Sequence, residues 1–145
     1  MASKGLSRTA RVASLTAFAS GTTYAGLSTV NPGDDGQSRV EPAFGTGGYA
    51  RVAVSWSAVS APGALDAAVE LVNSALITFG ASGTAYSTGA TQLAWLTLWN
   101  HATNTAEANF LGRFPLNTPN AISADGASIA IAAGQLKVTL TPQTV

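Results

Sequence analysis

The chain reads as an all-β protein: an antiparallel β-sandwich, of jelly-roll or immunoglobulin-like type, with an extended N-terminal arm and long loops. Two observations predict this. Apolar residues recur with a period of two along several short runs, the pattern of a strand with one face buried. Between those runs Gly, Pro, Asn and Asp cluster at short intervals, the punctuation of tight turns. At 145 residues the chain is long enough for one self-sufficient core. Residues 1–20 read as the arm and 21–145 as a single sandwich domain.

The elements follow in order. Ser7 to Phe18 fits a short helix or an arm. Lys4, Arg8 and Arg11 precede the first acid, Asp34. The run Val12 to Ser20 imitates the apolar part of a secretion signal, but Ser14 and Thr16 interrupt it. A basic arm that orders against a partner is the preferred reading. Tyr24 to Val30 is the first strand. Asn31-Pro32-Gly33-Asp34-Asp35-Gly36 then builds a rigid surface turn, because proline presets φ, glycine supplies positive φ and Asn/Asp side chains satisfy nearby backbone. Gly47-Gly48-Tyr49-Ala50-Arg51 leads into a second strand through Trp56. There Val52, Val54 and Trp56 share one face, with Arg51, Ala53, Ser55 and Ser57 on the other.

Ala64 to Leu76 fits two patterns. Leu65, Ala68/Val69, Val72 and Leu76 make a helical stripe, whereas Val69 and Leu71 inward with Glu70 outward make a strand. The strand is preferred because the surroundings supply strand partners. Gly80 to Gly89 is a long loop. Gln92 to Trp99 is apolar on both faces, as expected of a strand crossing the middle of a sheet. Asn100 to Thr105 is a polar turn, and Ala108 to Phe114 the hairpin partner. Ile129 and Ile131 alternate with Ala130 and Ala132. After Ala133-Gly134-Gln135, Leu136, Val138 and Leu140 alternate with Lys137, Thr139 and Thr141.

Composition narrows the function. Charged residues are 10% of the chain, against about 25% in an average soluble domain. Formal net charge is zero, which removes the long-range repulsion that keeps copies apart. Such a surface suits a protein packed among neighbours. With no cysteine and one histidine, thiolate chemistry, a disulfide scaffold and a zinc site have no residues to work with. No apolar run approaches the length of a membrane-spanning helix. Seven cations spread along the chain give no basic stripe for nucleic acid.

Each candidate for chemistry has a plainer reading. His101 lies in a turn, without a Gly-x-Ser-x-Gly elbow to supply a nucleophile. Asp34 and Asp35, with Glu41 nearby, lack both the calcium-loop spacing and the cross-cleft separation a glycosidase needs; they read as loop caps. Gly45-Thr46-Gly47-Gly48-Tyr49-Ala50 has the letters of a dinucleotide fingerprint, but a strand rather than a helix follows. The aromatics Tyr24, Phe44, Tyr49, Trp56, Phe79, Trp95, Trp99, Phe110 and Phe114 fall mostly on strands, where core packing is the commoner use than a sugar platform.

Five segments taken in order resemble a family of small virion proteins from tailed bacteriophages. They are Tyr24-Ala25-Gly26-Leu27, Asn31-Pro32-Gly33-Asp34-Asp35-Gly36, Gly47-Gly48-Tyr49-Ala50-Arg51-Val52-Ala53-Val54, Trp95-Leu96-Thr97-Leu98-Trp99-Asn100, and Ile131 to Leu140. Members are often labelled tail fibre proteins, and others look like capsid cement or decoration proteins. The chain departs from the family in a short stretch before Tyr24, without the expected helical opening, and in a longer Gly/Thr-rich loop over 81–92.

The resemblance implies a non-enzymatic β-sandwich, without cofactor or metal, that binds the outside of the phage head and cements it by bridging capsomers. A tail or fibre component is the alternative, and a carbohydrate-binding module for host attachment a further one. The expected partners are the major capsid protein and further copies of the chain. A homotrimer would match the local threefold positions of an icosahedral lattice. Neither nucleic acid nor membrane is expected as a partner. Lys4, Arg8, Arg11, Asp34, Asp35, Arg39, Tyr49 and Arg51 are the expected capsid or subunit contacts.

Overall fold

A computed structural model describes residues 6–61, 63, 67–81, 83, 85, 86, 92–122 and 126–142. It is mostly β, with antiparallel sheets and one helix. The chain forms two compact units. The first gathers Met1–Gly21, Ser55–Leu76 and Ala132–Val145; the second gathers Thr22–Val54 and Ile77–Ile131.

The first unit opens with α1, Arg8–Ser20. This corrects the expected extended arm and the expected lack of a helical opening. Ser7 caps the helix by accepting the Ala10 N–H at 3.2 Å, satisfying a donor the first turn leaves open. Val12, Leu15, Phe18 and Ala19 then recur at helical spacing and pack against Val69 and Leu71. That stripe makes the segment part of a core, and the Phe18 ring meets Trp56 edge-on at 5.6 Å.

The second unit contains β1 (Thr23–Ser28) and β2 (Val52–Val54). The run beyond β2 makes two isolated bridges in the first unit, Trp56 to Asn73 and Ser60 to Glu70. β3 (Val69–Val72) is a strand with Val69 and Leu71 buried, as expected; residues 64–66 lie outside the described ones. β4 is Ile77–Gly80, β5 is Leu93–Trp99, β6 is Phe110–Asn120, β7 is Ser128–Ile131 and β8 is Lys137–Leu140.

Pairing is antiparallel throughout. The second unit holds a four-stranded sheet, β2-β1-β5-β6, and the pair β4-β7; the first unit holds β3-β8. The central position of β5, with Leu93, Leu96, Leu98 and Trp99 buried, explains why its sequence is apolar on both faces. β7 and β8 flank the turn at 133–135, yet β7 takes β4 as its partner and β8 takes β3. From the loop after β4, residues 82, 84 and 87–91 lie outside the described ones. Tyr86 is buried there, its hydroxyl donating to the Gly80 carbonyl at 2.7 Å.

One neutral side chain ties the first unit together. Asn73 is buried. Its amide nitrogen donates to the Ala75 and Ala132 carbonyls, both at 2.9 Å, and its amide oxygen accepts the Leu136 N–H at 2.9 Å. Its backbone also pairs with Leu136 and Gly134. Every polar atom of the residue is therefore matched inside a dry site, which is what makes such burial stable.

Candidate interaction surface

Four of the five family-like segments converge inside the second unit on one buried ion pair. Arg51 and Glu41 meet in a two-pronged clamp: Arg51 Nε donates to Glu41 Oε1 at 2.9 Å, and Nη2 to Oε2 at 2.8 Å. The parallel fork matches the carboxylate, the strongest geometry for such a pair. Arg51 Nη1 donates to the carbonyls of His101 and Asn104, both at 3.0 Å, so the clamp also fixes the turn after β5. The Arg51 guanidinium lies 3.9 Å from the centre of the Trp99 ring, and that of Arg39 lies 4.9 Å from it. Both are cation–π contacts in a desolvated setting.

Tyr49 completes the arrangement. Its hydroxyl donates to Glu41 Oε1 at 2.8 Å and accepts the Leu27 N–H at 2.9 Å. Burial first, and then the Glu41 carboxylate, push the Tyr49 phenol far above its ordinary range. Tyr49 and Arg51 are two residues apart on an extended run, so both side chains reach the same carboxylate.

The glycines of the motifs make room. A Cβ on Gly26 would sit 2.8 Å from Glu41 Oε1 and 2.9 Å from Thr97 Oγ1. One on Gly36, whose φ is +73°, would sit 2.6 Å from the Phe110 ring. Only glycine accepts that φ without strain.

Above the clamp an open groove of about 420 Å³ is lined by residues of 37–44 and by Thr105. Val40 and Phe44 on its walls are exposed apolar side chains. Phe44 stacks on the buried Tyr49 ring at 5.9 Å. Arg39 is held from below: Nη1 donates to the Gly36 carbonyl at 2.8 Å, and Nε approaches Glu41 Oε2 at 3.5 Å.

The expected contact residues divide sharply. Arg51 and Tyr49 are buried internal framework. Arg39 stands at the groove. Asp34 is exposed and pairs with Arg113 at 2.8 Å, while Asp35 Oδ1 caps its own turn by accepting the Gln37 N–H at 2.9 Å. Arg8 and Arg11 belong to the first unit. Arg8 Nη2 donates to the Ala61 carbonyl at 2.7 Å, and the buried Arg11 donates from Nη1 to the Leu6 carbonyl at 2.7 Å. Lys4 lies outside the described residues.

In the sequence Glu41 reads as a stray carboxylate, Val40 has no role, and Phe44 has no more than a place among possible stacking rings. The signal that could have found Glu41 is the Tyr49-x-Arg51 alternation, which places two donors on one face and so asks for an acceptor. His101 is an exposed turn residue whose Nδ1 accepts the N–H groups of Thr103 and Asn104 at 3.1 and 2.9 Å. Among the described residues no group of three His, Cys, Asp or Glu could hold a metal ion, and no helix is long and apolar enough to cross a membrane.

A family model described as Podophage GP4 fiber I protein gp80 matches residues 4–139. The chain belongs to this family. It is thus a phage virion structural protein of a fibre-related family. The match to the gp80 fibre family spans all five of the family-like segments up to residue 139, and with them the clamp and the groove. Comparisons with curated proteins and with solved structures gave no match.

Proposed function

We propose that the protein is a non-catalytic accessory subunit of the virion that works by being seated against protein neighbours, with the fibre apparatus as its place. The match over residues 4–139 to a fibre protein family carries this reading. The internal use of the strongest charged groups supports it. Arg51, Glu41 and Tyr49 saturate one another, so they hold loops in shape and leave no free acid, base or nucleophile among them.

A second seat is the outside of the head, where the protein would act as a cement that bridges capsomers of the major capsid protein. The charge content of 10% and the zero net charge favour that lattice setting as much as a fibre, since sparse charge lets copies approach closely. On either seat the proposal includes self-association as a closed homotrimer and antiparallel sheets arranged as a jelly-roll or immunoglobulin-like sandwich. Cryo-electron microscopy of the source particle tests all of this. Copies confined to the tail or its collar establish the fibre seat, and copies across the lattice establish the cement. Absence from the purified particle ends both.

A further inference from the structure

We infer that residues 39–43 form an open main-chain edge that takes up an extended, acidic segment of a neighbouring virion protein as an added strand. This inference rests on the structural role proposed above.

The edge is defined by where backbone groups go. Val40 turns both of its groups to the end of β1: its N–H donates to Ser28 Oγ at 3.0 Å, and its carbonyl accepts the Thr29 N–H at 3.0 Å. Arg39, Glu41 and Ala43 leave theirs open, except that the Ala43 carbonyl accepts the Thr46 N–H at 3.0 Å. Their N–H groups donate to nothing among the described residues, and the carbonyls of Arg39 and Glu41 accept nothing there. One residue bonded inward with its neighbours open outward is the alternation of a strand in an antiparallel sheet, seen from its free side.

The position in the sheet agrees. The Leu27 N–H goes to the Tyr49 hydroxyl rather than to β5, and Thr29, two residues on, lies on the same side. Residues 39–43 therefore prolong the β2 side of the four-stranded sheet, whose other edge is β6. That opposite edge is guarded, since Pro115 and Pro119 lack the N–H that a partner strand would need. The 39–43 edge has one proline, at Pro42, and this falls between the outward donors.

The groove supplies side-chain recognition beside the edge. Val40 and Phe44 offer apolar contacts to alternate residues of an added strand. Charge selects an acidic one. Arg39, which lines the groove, and the buried Arg51 face a single carboxylate, Glu41, so the three groups together carry one net positive charge. Arg39 Nη2 is bonded to no described residue. A peptide is favoured over a sugar because three donors two residues apart repeat the spacing of a polypeptide backbone.

Amide hydrogen exchange, followed by mass spectrometry over overlapping peptides of residues 37–45, tests the inference. Free full-length protein is compared with the protein in the purified particle. The amides of Arg39, Glu41 and Ala43 are expected to slow at least about tenfold in the particle, the factor equal to ~1.4 kcal/mol, while that of Val40 stays constant. Equal rates in both states, with the protein present on the particle, overturn the added strand and leave the structural role intact. Absence of the protein from the particle removes both. Protection of the same amides in free protein by polysaccharide extracted from the host surface would make the groove a sugar site and overturn the inference. Ala43→Pro deletes one outward donor and no internal bond. With its melting temperature unchanged, its occupancy on particles in competition with wild type should fall about fivefold, as for one lost hydrogen bond.

Discussion

The two units solve the same problem with different chemistry. Each must hold together stretches far apart in sequence, and each does so with a buried polar side chain that collects backbone carbonyls. In the first unit the collector is Asn73, a neutral amide whose donors and acceptor are all matched. In the second it is Arg51, a cation that needs the Glu41 carboxylate before it can be buried at all. A neutral hub depends on hydrogen bonds alone. A charged hub adds Coulombic attraction and a large desolvation cost, so it fails harder when one partner is lost.

The largest expected effect follows. Glu41→Ala leaves the Arg51 side chain, 0% exposed, as an unpaired buried charge, and should destabilise the protein by about 3–5 kcal/mol. Urea denaturation measures it. A loss under about 1 kcal/mol would mean that Arg51 finds water or another acceptor. Joint replacement with Arg51→Met and Glu41→Leu should recover much of the loss, because removing both charges also removes the cost of burying them. Asn73→Ala should cost somewhat less, about 2–4 kcal/mol, since it orphans the Leu136 N–H and the Ala75 carbonyl without stranding a charge, while the Ala132 carbonyl keeps the Gln135 N–H as a donor. If the two variants reversed this order, the contrast between the hubs would be lost.

Many of the strands were legible because period two survives wherever one face is buried. Val52/Val54, Val69/Leu71, Ile129/Ile131 and Leu136/Val138/Leu140 all show it. Helix α1 was harder. Ser14 and Thr16 dilute its stripe, and only the packing of Leu15 on Val69 and Leu71 turns a weak propensity into a fixed element. The division into two units left no mark in composition, because the chain leaves the second unit after Val54 and re-enters it at Ile77 without any linker-like run. The clamp was half legible. Gly36, Tyr49 and Arg51 stood in recognisable segments, but nothing in the letters says that Glu41 lies against Arg51, because pairing across irregular loops has no period to read.

The hubs also differ in their response to pH. Tyr49 donates to Glu41, and its phenol is raised well above the usual 10.0, chiefly by burial. Above pH 10 the unfolded chain loses this proton while the folded one keeps it, so the folded state binds more protons and stability falls as pH rises. Each such group contributes a slope of up to about 1.4 kcal/mol per pH unit. Below pH 10 the contribution is constant. Tyr49→Phe should be less stable than wild type at pH 8 and show a shallower decline between pH 10 and 11.5. Parallel stability curves for the two proteins would mean that the Tyr49 phenol titrates alike in the folded and unfolded chain. Asn73→Ala should leave the slope unchanged, because an amide does not titrate.

The smallest effect marks the other limit of the comparison, a charge pair that is not buried. Lys137 Nζ and Glu70 Oε2 lie 3.1 Å apart across β3 and β8 with side chains 47% and 36% exposed. Water already solvates both ions, so their attraction replaces little and holding two flexible chains costs entropy. Glu70→Gln should change stability by less than about 1 kcal/mol, and that difference should vanish in 1 M salt, where screening acts within about 3 Å. The Glu41→Ala loss should persist in the same salt, because ions cannot enter between Glu41 and Arg51. Equal salt sensitivity of the two variants would mean that the clamp is solvated, and that the second unit is held by its apolar core instead.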